Sequence, residues 1–208
     1  MATFQTVYDR VEKDIHKATG TTYQSDVKNA IVSAIRFYEQ RPVWFTEVVG
    51  SDLTLTAASD NVALPTNFAS LAHLRIVVNS QFRDEDTGFA PVNDLKELRK
   101  KTGATQRTMT PSWWTLHNTK IYVDTLADSE YTLKIDYHKK DTSYPSSSGD
   151  TSIWFEEAFD LIRLMAMSIH YGERLHDSEN EAKYFAKAEG WFKNLRARSN
   201  VRKSYRMP

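Results

Sequence analysis

The chain has 208 residues, 40% of them hydrophobic and 12% aromatic, and its 27 basic side chains balance 27 acidic ones. That length suits one globular domain, or one domain with an insertion, able to bury a sizeable core. Zero net charge makes no global case for a nucleic-acid or membrane partner, and the lack of cysteine excludes disulfides and thiolate chemistry.

The opening stretch, MATFQTVYDRVEKDIHK, alternates charge and apolarity and reads as neither signal peptide nor anchor. No run approaches the roughly 18 apolar residues that a spanning helix needs. The expectation is a soluble protein made in a cytoplasm, with no membrane partner. Two helices come first. Phe4, Val7, Tyr8, Val11 and Ile15 recur at helical spacing, with Gly20 as a stop. Ser25 or Asp26 then caps a second helix with the stripe Val27, Ala30, Ile31, Ala34, Ile35 and Tyr38, and Pro42 ends it.

From 43 to about 140 the pattern changes to short alternating runs rich in Thr, Val and aromatics. They are Phe45–Val49, Leu53–Thr56, Val62–Leu64, His73–Val78, Thr115–His117, Lys120–Val123 and Tyr131–Tyr137. Asn118-Thr119 predicts a tight hairpin. Asn93 or Asp94 caps a short helix, LKELRKK, which Gly103 closes. Residues 79–92 and 103–112 read as exposed loops, and 141–150, DTSYPSSSGD, as a linker. Residues 153–171 then form a helix apolar on nearly every face, as a buried helix is. A last helix starts near Asp177–Ser178 and runs to about Ser199 on a stripe of Phe185, Ala188, Phe192 and Leu195.

The fold expected is mainly α with a β-rich insertion (α+β). Residues 1–42 and 151–199 would form an antiparallel helical bundle, because each apolar face needs a cover. Residues 43–150 would hold a small antiparallel sheet and the linker, and 200–208 an extended C-terminal tail.

No catalytic signature emerges. The phosphate loop, the dinucleotide fingerprint, the G-x-S-x-G elbow and H-E-x-x-H are all missing. His170 and His176 stand six apart across a helix end with Asp177, a spacing that does not bring both imidazoles to one face. Asp84, Asp86 and Gly88 hint at a calcium loop, but its twelfth position is Leu95 rather than Glu. His16, His73, His117 and His138 lie in separate segments. The expectation is a non-enzyme with no catalytic residue, no metal and no cofactor.

Two features remain. From Gly190 to Pro208 there are six basic residues and no acidic one, whereas from Phe155 to Glu189 acids outnumber bases eight to four. A tail with Arg196, Arg198, Arg202, Lys203, Tyr205, Arg206 and Met207 offers charge and anchors to an acidic groove. It equally allows salt-sensitive, nonspecific attraction to DNA. A helix-end cation is more often simply solvated. The second feature is Trp113 beside Trp114. Neighbours on a strand face opposite ways, so one of the two is exposed unless something covers it, as at an interface.

The order of these segments resembles the head-to-tail adaptor (connector or head-completion) proteins of tailed double-stranded DNA bacteriophages. The resemblance covers an opening helix pair, then WFTEVVGSDLTLTAASDNVALPTNFASLAHLRI, then PSWWTLHNTKIYVDTLADSEYTLKIDYHKK. It closes on FEEAFDLIRLMAMSIHYGERLHDSENEAKYFAKAEGWFKNL. In such adaptors a strand ends at Leu-Pro, here Leu64-Pro65. The chain then turns under the helices with an aromatic plugging the junction, here Phe68 with Leu71. Where related sequences often carry Pro after the second hairpin strand, this chain has Asp124 and Thr125. The resemblance implies a virion structural protein of the neck, made in the host cytoplasm. It would be a subunit of a ring, dodecameric in that family, beneath the portal protein. The ring would extend the channel for double-stranded DNA, without sequence-specific contacts, and hold the tail or nozzle proteins, with the C-terminal segment reaching the portal. The competing expectation is a nucleic-acid-binding protein that uses the basic tail.

Overall fold

The structure, a computed structural model, describes residues 2–15, 21–102, 107–141 and 143–204. Among them are six α-helices and eight strands. In chain order these are α1 (Phe4–Ile15), α2 (Thr21–Glu39), a 3-10 turn (Trp44–Thr46), β1 (Glu47–Leu55), β2 (Asn61–Ala63) and β3 (Phe68–Val78). Next come β4 (Gln81–Arg83), β5 (Ala90–Pro91), α3 (Leu95–Thr102), β6 (Trp113–His117), β7 (Lys120–Val123) and β8 (Tyr131–Lys139). The chain closes with α4 (Ile153–Glu157), α5 (Phe159–Glu173) and α6 (Ser178–Ser204). Two compact units result: Met1–Glu47 with Lys140–Pro208, and Val48–Lys139.

The helical unit is organised around α5. Leu161, Ile162, Leu164, Met165, Ala166 and Met167 are all buried there, on more than one face, so the helix needs neighbours on several sides. α1 buries Phe4, Val7, Tyr8, Val11 and Ile15, and α2 buries the stripe from Val27 to Tyr38. Trp154 lies at the base of this core, edge-on to Phe45 with ring centroids 4.9 Å apart.

Several local expectations are corrected. α2 already begins at Thr21, so Ser25 and Asp26 lie inside it, and Asp26 pairs with Arg174 instead of capping. Gly20, His16 and Gly103 fall outside the described residues. The helix expected over 153–171 is broken at Ala158, whose φ of −140° and ψ of 31° are not helical. Ser152 caps the first piece by accepting from the Trp154 N–H at 3.3 Å. Residues 141–150 are no loose linker. The Phe4 N–H donates to the Asp150 carbonyl at 2.8 Å, Gln5 N–H to that of Ser148 at 3.2 Å, and Tyr144 Oη to Glu39 at 2.7 Å.

The β unit overturns the expected fold class. A predominantly helical protein with one small antiparallel sheet is not what forms. The fold is a mixed α+β one with two four-stranded sheets, ordered β1-β8-β3-β4 and β2-β7-β6-β5. The second sheet is itself mixed, because β5 pairs parallel to β6. In the first, β3 and β8 are antiparallel with Leu74 opposite Ile135 and Ile76 opposite Leu133, all four buried. Ile121 and Val123 of the second sheet join the same apolar cluster, so both sheets share one core. On the outward side of β8, Asp136 accepts from the Gly50 N–H at 2.6 Å and lies 3.4 Å from Arg75. Gly50 stands at φ +69°, a left-handed position in β1 that suits glycine.

The missed strands are short. β4 and β5 span three and two residues inside the stretch read as a loop. Asn79 and Ser80, at φ +52° and +63°, form the two-residue turn from β3 into β4. The predicted Asn118-Thr119 turn does join β6 to β7, with Asn118 at φ +53°.

Candidate functional site

α6 is built on one buried seam. Ala188, Phe192, Leu195 and Ser199 recur every three or four residues, and each is buried. The Phe192 ring lies 5.1 Å from that of Tyr38 on α2. The Arg41 guanidinium sits 4.4 Å from the Phe37 ring and 5.2 Å from Phe192, a cation among aromatic faces. Glu189 accepts from Arg41 Nη1 at 2.6 Å and from the Tyr38 hydroxyl at 3.2 Å. Burial, then the Glu189 charge, pushes that hydroxyl well above its ordinary range. Further along, Ser199 Oγ accepts from the Trp44 N–H at 3.1 Å and donates to the Leu195 carbonyl at 3.1 Å.

Phe185 and Trp191, 39% and 44% exposed, flank this seam on either side, Phe185 meeting the Phe37 ring edge-on with centroids 6.3 Å apart. Lys187, Lys193, Arg196 and Arg198 are exposed. Phe185, expected in the buried stripe, is replaced there by the half-buried Tyr184, which stacks on Tyr171 with centroids 5.4 Å apart. The exposure of Trp191 escaped the sequence reading. Three residues after Ala188 and four before Leu195, it fits the seam by spacing as well as Phe192 does, so only the packing separates the two. The extended tail expected from 200 onward is corrected: α6 stays helical to Ser204, carrying Arg202 and Lys203 in helix. Tyr205, Arg206 and Met207 lie outside the described residues.

The other singled-out residues lie in the β unit. The Leu64 N–H donates to the Thr119 carbonyl at 2.9 Å, and the Phe68 N–H closes a turn onto Pro65 at 3.0 Å. Phe68 stacks on Tyr137 at 5.8 Å, and Leu64, Phe68 and Leu71, all half-buried, pack on the β-unit core. Trp113 and Trp114 are both half-buried rather than one exposed. Lys101 Nζ covers the Trp113 ring at 4.2 Å, and Trp114 Nε1 donates to the Phe89 carbonyl at 3.3 Å. Asp124, where a proline was the family expectation, accepts from the Ser112 and Trp113 N–H groups at 3.0 and 3.1 Å.

The titratable residues singled out from the sequence are divided between the two units. His170 is buried in the helical unit, and burial lowers its pKa. His176 is exposed at the end of α5 with φ +50°. Asp84 closes its own turn by bonding Thr87, whose hydroxyl holds the carboxyl below its ordinary range. Among the described residues no cluster of three or more His, Cys, Asp or Glu could hold a metal ion, and no helix is long and apolar enough to cross a membrane.

Comparison with protein-family models matches residues 2–207 to the family described as SU10 adaptor protein. A search of curated proteins gives no match.

Proposed function

Since the chain belongs to the SU10 adaptor protein family, the head-to-tail adaptors of tailed phages, we propose that it is one subunit of a closed ring docked beneath the portal. The ring extends the DNA channel and presents a platform to the tail or nozzle proteins, at the head-tail junction of the virion. Dodecameric closure fits a portal of that symmetry, and a head-to-tail contact between copies closes a ring when its rotation closes. The work done is assembly rather than catalysis.

The observation that carries the reading is the family match over nearly the whole chain. α6 supports a division of labour within it. Up to Ser199 the helix is tied to the helical unit, and Arg196 and Arg198 face outward at that end. We assign portal contact to Arg196, Arg198, Arg202, Lys203, Tyr205 and Arg206, with Trp113 and Trp114 and the Leu64-Pro65, Phe68 and Leu71 turn as architecture of the β unit.

The test is a co-sedimentation assay with the portal oligomer of the same phage. The full chain is compared with a version ending at Asn200, which retains the Ser199–Trp44 bond, and with Arg196→Glu/Arg198→Glu. Portal binding by the full chain and its loss in both variants, with helicity unchanged, is the expected result. Full binding by both variants would remove the C-terminal segment from the portal contact.

A further inference from the structure

We infer that the outer face of α3 is a contact surface for the phosphate backbone of double-stranded DNA, with Lys96, Arg99 and Lys100 on the phosphates. α3 carries four cations, Lys96, Arg99, Lys100 and Lys101, against one carboxylate, Glu97. This concentration stands out in a chain with zero net charge. Buried Leu98 fixes the helix to the β unit and leaves the four cations exposed.

The two carboxylates at the start of α3 are occupied by its backbone. Asp94 Oδ1 accepts from the Glu97 N–H at 2.7 Å, and Glu97 Oε2 accepts from the Asn93 N–H at 3.2 Å, a reciprocal cap. Among the described residues no carboxylate forms an ion pair with Lys96, Arg99 or Lys100. These three sit at i, i+3 and i+4, neighbours on one face with roughly 5–6 Å between their Cβ atoms. With Leu95, exposed His117 and the Asp94 carboxylate that caps the helix, they line an opening of about 620 Å³.

The chemistry of this face favours a phosphate backbone over an acidic protein. A protein partner is held by apolar or aromatic anchors that it can bury. Among the described residues the exposed large apolar side chains are Val49, Phe82, Met109, Phe185 and Trp191, none of them on α3. The aromatic nearest at hand, Trp113, already lies under Lys101. Backbone phosphates need only cations, and each contact releases counterions. The inference rests on this patch and stands apart from portal docking.

The experiment is fluorescence anisotropy of a labelled 30-base-pair duplex with the full chain at 50 and 200 mM salt. Three phosphate contacts give a log–log salt slope of about −3, a roughly 40-fold loss of affinity between those concentrations. Lys96→Gln/Arg99→Gln/Lys100→Gln should make the slope shallower by about 3, for every duplex sequence alike. Arg196→Gln/Arg198→Gln should leave it unchanged. Circular dichroism of each variant confirms that the helices persist. No binding by the full chain at 50 mM, or an unchanged slope in the α3 variant, would overturn the inference. So would a loss in the α6 variant equal to that in the α3 variant. Binding of a polyglutamate peptide in place of the duplex would show an acidic protein as the partner and equally overturn it.

Discussion

Replacing Glu189 with alanine should loosen α6 from α2. The carboxylate accepts a 2.6 Å bond from Arg41 and a 3.2 Å bond from Tyr38, whose side chain is fully buried. A hydrogen bond to a charged group contributes about 1.5–3 kcal/mol, and a buried donor left without an acceptor costs about 1–3 kcal/mol. The Arg41 and Glu189 side chains retain 35% and 26% of their exposure, so solvent screening reduces the ion-pair part to about 1 kcal/mol. The sum is about 2–3 kcal/mol. At about 4 °C per kcal/mol for a unit of this size, Tm falls by about 10 °C. Thermal melts at 222 nm give the number. A cycle with Arg41→Ala should return a coupling of about 1 kcal/mol, because the two side chains touch. Glu189→Gln, which keeps an acceptor for Tyr38, should cost about half as much as alanine. A Glu189→Ala melt within 1 °C of wild type, or strict additivity in the cycle, would mean that Glu189 does not hold α6 to α2.

Ser199→Ala should cost about 1 kcal/mol and leave the Trp44 amide without its side-chain acceptor; faster hydrogen exchange at that amide is the readout. Burial lowers the pKa of His170, with the Asp26 carboxylate opposing and Arg174 reinforcing. The unfolded chain therefore binds this proton first, at about 6.5, so stability falls as pH drops below that value. Melts between pH 7.5 and 5.5 should show the decline, and His170→Gln should flatten it; identical pH profiles would count against the burial argument. Gly172→Ala would place a Cβ 2.5 Å from the Glu181 side-chain end, which is flexible and can swing aside. The expected change is neutral to stabilising by up to about 1 kcal/mol, from helix propensity, as read by urea unfolding.

The helical stripes were legible because their signal is local. Phe4 to Ile15 and Val27 to Tyr38 announce a buried face by spacing alone, and all those residues are buried. The break at Ala158 was not legible, since no Gly or Pro marks it. β4 and β5 are three and two residues long, too short to show alternation; β4 forms by turning back onto β3, and β5 through Trp113 and Trp114 far along the chain. Missing them turned two sheets into one small one. On α6 the apolar residues at 184, 185, 191 and 192 fit more than one stripe, and the packing against Tyr38 and Tyr171 selects Phe192 and Tyr184. The basic run from Lys193 onward was plain in the sequence, but its polar composition hid that the helix continues through Asn200 to Ser204. The cations of α3 were equally visible. Their freedom from carboxylates appears only once Asp94 and Glu97 are seen bonded to the backbone.

The most direct measurement of the central claim is electron microscopy of the portal oligomer mixed with an excess of the full chain. The expected image is one added ring at a single end of the portal, coaxial with its channel and of matching rotational symmetry. A portal that remains bare, with the chain folded and present in excess, would contradict it.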